Sequence, residues 1–113
     1  MVPDKNQREQ ETALACDLTA IAATQREQHL SIAGRVFAAA QELRELPDGY
    51  ALRLADSASN ITLASEFIAR ERLCCPFFSF ELVLEKERGP LWLQLRGREG
   101  VKAFIEAELN LKR

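Results

Sequence analysis

The sequence predicts a single α+β domain in which one helix is followed by two strand–strand–helix units. Apolar residues recur at helical spacing in three segments, and they alternate with polar residues in the strand segments between them. We therefore expect a four-stranded antiparallel sheet with helices on one face. The chain of 113 residues is long enough for one such domain and too short for two ordinary ones.

The chain begins with a polar stretch, residues 1–15, that shows no hydrophobic periodicity. We expect it to form a flexible arm in front of a domain that covers residues 16–113. After a small apolar segment, the spacing of apolar residues predicts a first helix over 24–40, with Thr24 as its N-cap.

Two hairpins are predicted from alternating apolar and polar residues. The first is centred on a turn at Pro47 and Gly49, and its second strand runs through 50–55. In the second hairpin, segments 78–85 and 91–96 alternate on either side of a polar turn. Short turns of this kind join antiparallel neighbours, so each hairpin contributes two adjacent strands.

The remaining two helices follow the hairpins. Serine and asparagine side chains offer N-caps for a helix over 60–74, which Pro76 ends because the residue before a proline is disfavoured in the α region. Apolar residues from Val101 onward predict the C-terminal helix. Trp92 alternates away from the leucines beside it, and we expect a helix to cover it.

The composition excludes several classes of protein. A formal net charge of −2 gives no basic field, so the chain is not a non-specific nucleic-acid binder. No apolar run approaches the roughly 18 residues that span a bilayer, and the polar start is unlike a secretory signal. We expect a cytoplasmic protein without a nucleic-acid or membrane partner, and a homodimer through an open sheet edge is compatible with this fold. The odd number of cysteines, three, favours free thiols over a disulfide framework.

One segment places chemically active residues together. On a helix, Glu71 lies three residues before Cys74 and four before Cys75, so the carboxylate and the thiols share a face. The apolar stripe of the same helix directs Glu71 toward the core, where an unpaired carboxylate is costly. Arg70 and Arg72 flank this carboxylate and are candidates to support the site. Such a conflict between residue type and position is typical of functional sites.

Four motifs occur along the chain in a fixed order: C-D-L at 16–18, L-P-D-G-Y at 46–50, E-R-L-C-C-P-F at 71–77 and G-R-E-G at 97–100. This pattern resembles a family of small bacterial proteins for which no activity is established. The resemblance extends from about residue 16 to about residue 109. It implies that the three cysteines and Glu71 act as one set, and it does not indicate what they do.

Three interpretations of the thiols remain open. In the first, Cys16, Cys74 and Cys75 bind a thiophilic metal or metalloid ion of the zinc, copper(I), mercury or arsenic class, without an organic cofactor. Glu71 or His29 would be the fourth ligand. Adjacent cysteines suit a large ion better than a small tetrahedral one. His29 lies among polar residues, and we expect it to be solvated rather than a ligand.

In the second interpretation, the vicinal pair belongs to a thiol redox enzyme or sensor, in which a second cysteine resolves the first. The end of a helix opposes this role because the macrodipole there disfavours a thiolate. A bridge from Cys16 to Cys74 or Cys75 would be less strained than one between the two neighbours. In the third, the cysteines pack as small apolar residues in a non-catalytic interaction module. We prefer the first interpretation, a binding protein without catalytic residues.

Overall fold

A computed structural model describes residues 14–108. The predicted flexible arm therefore lies almost entirely outside the described residues. The helices and strands follow the predicted order: α1 Ala23–Ala39, β1 Glu42–Leu46, β2 Gly49–Leu54, α2 Ala58–Cys74, β3 Ser79–Leu84, β4 Leu91–Arg96 and α3 Val101–Glu108. Within residues 14–108, no helix combines the length and the apolar character that crossing a bilayer requires.

The four strands form one antiparallel sheet in the order β1-β2-β4-β3. Each hairpin pairs its own two strands, and the hairpins join through β2 and β4, where Leu52 lies opposite Leu93. The predicted α+β fold is confirmed. Gly49 is needed at the start of β2, because a Cβ there would lie 1.9 Å from the carbonyl oxygen of Leu95.

The core lies between one face of the sheet and the helices. Leu52 and Leu93 from the sheet pack with Val36 of α1, Phe67 of α2 and Ile105 of α3, all at most 2% exposed. The alternation that predicted the strands fixes this face, because every second residue of β2 and β4 points into the core.

Trp92 lies on the opposite face of the sheet, and the prediction that a helix covers it is wrong. The guanidinium of Arg44 lies over the indole ring, 4.2 Å from its centroid. Arg44 lies on β1, on the far side of β2 from Trp92, and its cation–π contact helps to cover the tryptophan, which is 9% exposed.

The helix boundaries differ from the predictions by one or two residues. Thr24 is not the N-cap of α1: the cap position is Ala22, which supplies no side-chain hydrogen bond. Ser57 caps α2 by accepting a hydrogen bond from the Asn60 backbone at 3.0 Å, so α2 begins two residues earlier than predicted. It ends at Cys74, ahead of Pro76, as predicted.

Candidate functional site

The end of α2 brings the two adjacent cysteines together. Cys74 is the last helical residue, and Cys75 leaves the helix with φ −130° and ψ 67° while its N–H still bonds the Glu71 carbonyl at 2.8 Å. The departure from helical geometry places the two Sγ atoms 3.4 Å apart. At this helix end the two adjacent cysteines therefore place their sulfurs close enough together to bind one ion.

The N-terminal segment folds back onto the same helix end. The backbone N–H of Asp17 donates to the Cys74 carbonyl at 2.7 Å, which satisfies one of the carbonyls that a helix end leaves unpaired. Arg26 of α1 holds the segment from the other side, because its Nε donates to the carbonyls of Leu18 at 2.9 Å and Ile21 at 3.0 Å. These contacts fix the position of Cys16 beside α2.

Cys16 and Cys75 form a disulfide across a sequence separation of 59 residues. The expectation of free thiols at all three cysteines is wrong, because the folded-back segment brings the Cα atoms of this pair to 4.6 Å. This bridge is one of the two that the sequence predicts to be less strained than a bond between the neighbouring Cys74 and Cys75. Cys74 keeps a free, buried thiol.

Glu71 and His29 form a buried pair next to the free thiol. His29 Nε2 donates to Glu71 Oε1 at 2.8 Å, and the same carboxylate oxygen lies 3.7 Å from Cys74 Sγ. His29 is only 2% exposed, so the prediction of a solvated histidine is wrong. The burial of His29 could have been predicted from its helical spacing to Ile32 and Val36, the other buried residues of α1.

Burial dominates the electrostatics of the site. It raises the pKa of Glu71, although the hydrogen bond from His29 opposes this increase. Burial, followed by the neighbouring Glu71 carboxylate, raises the pKa of Cys74 to about 12. The thiol of Cys74 is therefore protonated at neutral pH, and it lacks the activation that a nucleophilic cysteine needs.

Four donor atoms converge at this place. The sulfurs of Cys16, Cys74 and Cys75 and a carboxylate oxygen of Glu71 all lie within 4.8 Å of one another. These are the four residues that the sequence pattern predicts as metal ligands. Three of them come from the end of α2, and Cys16 comes from the segment before α1.

The two flanking arginines are placed differently. Arg72 is exposed and lines a second pocket with Phe78 and Ser79. Arg70 is half-buried, and its Nη1 is a buried nitrogen without a hydrogen-bond partner in the described part of the chain. Neither arginine belongs to the group of converging donor atoms.

A cavity of about 320 Å³ adjoins the cluster. The three cysteines, Glu71 and His29 line one part of it, and the rest is lined almost entirely by apolar side chains of α1, α2, α3 and β4 together with Phe78 and Leu18. Leu18 and Leu30, two of the lining residues, are 36% and 55% exposed, so part of the cavity lining lies at the molecular surface.

Comparisons with protein-family models, with curated proteins and with solved structures found no match for this chain. The resemblance to a bacterial family accordingly stays a prediction.

Proposed function

We propose that the protein, with its cysteines reduced, binds a thiophilic metal or metalloid ion. Cys16, Cys74 and Cys75 supply thiolate ligands, with the Cys74 thiol losing its proton as the ion binds, and Glu71 supplies the fourth ligand. The observation that supports this proposal is the convergence of these four donor atoms within 4.8 Å, from two segments that are distant in sequence. Thiolate-rich sites select soft ions over hard ones.

Two of the distances between donor atoms fit an ion with short bonds, whereas the sulfurs of Cys16 and Cys75 must separate once the bridge is reduced. A tetrahedral ion with bonds of about 2.3 Å to sulfur and 2.1 Å to oxygen holds two sulfurs about 3.8 Å apart, and a sulfur and an oxygen about 3.6 Å apart. Cys74 Sγ lies 3.4 Å from Cys75 Sγ and 3.7 Å from Glu71 Oε1. These two edges of the site need to change by only a few tenths of an ångström.

The disulfide sets the condition for binding. Cys16 and Cys75 cannot act as thiolate ligands while they are joined, so an ion and the bridge compete for the same two sulfurs. A reducing compartment such as the cytoplasm, where we predict the protein to reside, keeps thiols available. Under oxidising conditions the site is closed by its own bridge.

His29 orients the carboxylate ligand. Carboxylates that bind metals are commonly held by a hydrogen bond from a second residue, and loss of that residue typically lowers affinity by about 10- to 100-fold. The Nε2–H of His29 makes this contact with Glu71 at 2.8 Å, from a ring that is 2% exposed. We assign His29 as a positioning residue and not as a ligand.

Elemental analysis with a thiol count tests the proposal on protein purified without chelator or added metal. We expect about one soft ion per chain after reduction and exposure to a zinc, cadmium or arsenite salt. Cys74→Ser combined with Cys75→Ser should abolish uptake. Glu71→Gln should weaken uptake, whereas Glu66→Gln, an exposed control on the same helix, should not. Stoichiometric uptake by the double cysteine variant would refute the proposal.

A thiol redox role is the second candidate, and one observation favours it. The free thiol of Cys74 lies 3.4 Å from a sulfur of the disulfide, close enough for thiol–disulfide exchange. Its pKa of about 12 opposes this role, because exchange proceeds through the thiolate. Fast catalytic reduction of a disulfide substrate by an external dithiol in the presence of the protein, lost in Cys74→Ser, would favour this second function over ion binding.

A further inference from the structure

The cavity beside the cysteines indicates which class of ligand the site binds. We propose that its ligand is an organic derivative of a trivalent metalloid, R–As(III) in type. Two thiolates would hold the arsenic, and the apolar group R would lie in the cavity. This inference deepens the proposed function and rests on it. Two adjoining features support this ligand class, namely the cluster of cysteine sulfurs and the apolar cavity that the cysteines line.

The cavity is large enough for such a group. Its volume of about 320 Å³ is roughly twice that of a 150 Å³ apolar cavity known to accommodate benzene. A bare ion bound by the cysteines needs none of this space. A ligand that carries a phenyl-sized substituent would use both the sulfurs and the space beside them.

The walls of the cavity match an aromatic or aliphatic substituent. Phe37, Phe67, Phe78 and Phe104 line it, and Phe37 and Phe67 meet edge to face with ring centroids 5.8 Å apart. A further flat ring gains from such surroundings through burial and edge-to-face contacts. The only charged residues among the lining residues are Glu71, Glu108 and, when protonated, His29, so a charged or strongly hydrated substituent finds no cation such as Arg or Lys to pair with.

Charge balance also favours this class. Cys74 and Cys75 are at most 2% exposed, and an uncompensated charge is costly at such a depth. A divalent ion bound by three thiolates and a carboxylate leaves a net charge of −2. A monosubstituted arsenic(III) bound by two thiolates is neutral, and with the third thiol protonated the same four residues carry only the −1 of the Glu71 carboxylate.

The binding reaction balances without a change of oxidation state at arsenic. An external dithiol first reduces the Cys16–Cys75 bridge and becomes a disulfide itself. R–As=O then reacts with two protein thiols. Two As–S bonds form, the arsenic–oxygen bond breaks, and the two thiol protons leave with the oxygen as one water molecule. Arsenic is trivalent before and after.

The test compares two arsenicals that differ only in R. Phenylarsine oxide and its methyl analogue are titrated against the reduced, full-length chain in competition with dithiothreitol, which binds both through the same two-sulfur chemistry. We expect the protein to prefer the phenyl compound over the methyl compound by about 10- to 100-fold more than dithiothreitol does, as burial of a phenyl-sized group predicts.

Two variants on one helix locate the preference. Ala33 lines the cavity, and Ala38 is exposed further along α1. Ala33→Leu should reduce the phenyl preference about tenfold and leave the affinity for the methyl compound unchanged, whereas Ala38→Leu should change neither.

The outcomes separate the two proposals. If the wild-type chain prefers the phenyl over the methyl compound no more than dithiothreitol does, the cavity inference is overturned and ion binding is left intact. This comparison does not depend on the folding of any variant. An undiminished phenyl preference in folded Ala33→Leu would overturn it as well. Failure of the reduced chain to bind either arsenical, or any soft ion, would instead refute the proposed function.

Discussion

Reduction of the Cys16–Cys75 disulfide should lower the free energy of unfolding by about 4 kcal/mol. The bridge joins residues 59 positions apart, and the chain-entropy model assigns a loop of that length a stabilisation of about 4 kcal/mol at 25 °C. Small domains are stable by about 5–15 kcal/mol in total, so the reduced protein loses a large part of its stability. An ion that joins the same two segments should restore much of this loss. At 100 times its Kd, a ligand specific for the folded state contributes about 2.7 kcal/mol.

Urea unfolding followed by tryptophan fluorescence measures both effects. Trp92 is the single tryptophan of the chain, and it is 9% exposed beneath Arg44. With a slope of about 2 kcal/mol per molar urea, the midpoint should fall by about 2 M on reduction and recover by more than 1 M when the soft ion is added.

Matched variants identify the sulfurs responsible. Cys16→Ser should behave as the reduced protein does, whereas Cys74→Ser keeps the bridge and should show the full shift on reduction. Two results would refute the reasoning: a midpoint that does not change on reduction, or an ion that stabilises the oxidised protein as much as the reduced one.

The remaining predictions concern the free thiol and the fold. At pH 8, iodoacetamide should modify Cys74 of the oxidised native protein more than a hundredfold more slowly than an exposed thiol, because a thiol with a pKa of about 12 is ionised in only roughly one molecule in 10⁴. Mass spectrometry measures the rate of modification in the native protein and in the urea-unfolded chain. Similar rates in the two would contradict the prediction. In thermal unfolding, Gly49→Ala should cost about 2 kcal/mol or more, because its Cβ would meet a β4 carbonyl oxygen at 1.9 Å. Gly34→Ala in α1, where a Cβ meets nothing within 4 Å, should instead stabilise by about 0.5–1 kcal/mol, and effects of the same sign would count against the packing described. Tyr50→Phe removes a hydroxyl that donates to Glu106 at 2.6 Å and should lower the unfolding free energy in urea by about 1.5 kcal/mol; no measurable loss would argue against that bond.

The fold was predictable because pairing and burial impose a period on the sequence. Leu52 of β2 and Leu93 of β4 lie opposite each other in the sheet, and both belong to alternating runs that are visible in the sequence. The start of α1 was less predictable. Thr24 has the spacing of a capping box, but the helix begins at Ala23 without any side-chain cap, because a good local motif is only one of several contributions to a helix end.

Part of the candidate site was predictable from one helix. Glu71, Cys74 and Cys75 lie within a single turn, so helical spacing predicts that they are close, and the 3.4 Å between the two sulfurs arises where Cys75 leaves the helix. The position of Cys16 depends on how a segment more than fifty residues away folds back, and no local pattern reports that. The sequence therefore left Cys74 and Cys75 as equal partners for Cys16, and the backbone turn after the helix decides in favour of Cys75.

The burial of His29 was missed because its sequence neighbours are polar. A helix face is set by residues three and four positions apart, and His29 shares its face with Ile32 and Val36. The carboxylate that it meets is contributed by another helix, forty-two positions later. Tertiary pairing of this kind turns a histidine expected in solvent into part of the site.

X-ray absorption at the edge of the bound ion tests the central claim most directly, because it counts the atoms bonded to that ion. The reduced chain is loaded with one equivalent of a cadmium or zinc salt and its first coordination shell is measured. We expect three sulfur ligands from Cys16, Cys74 and Cys75 and one oxygen ligand from Glu71. A shell made of nitrogen and oxygen, or one with a single sulfur, would contradict the account.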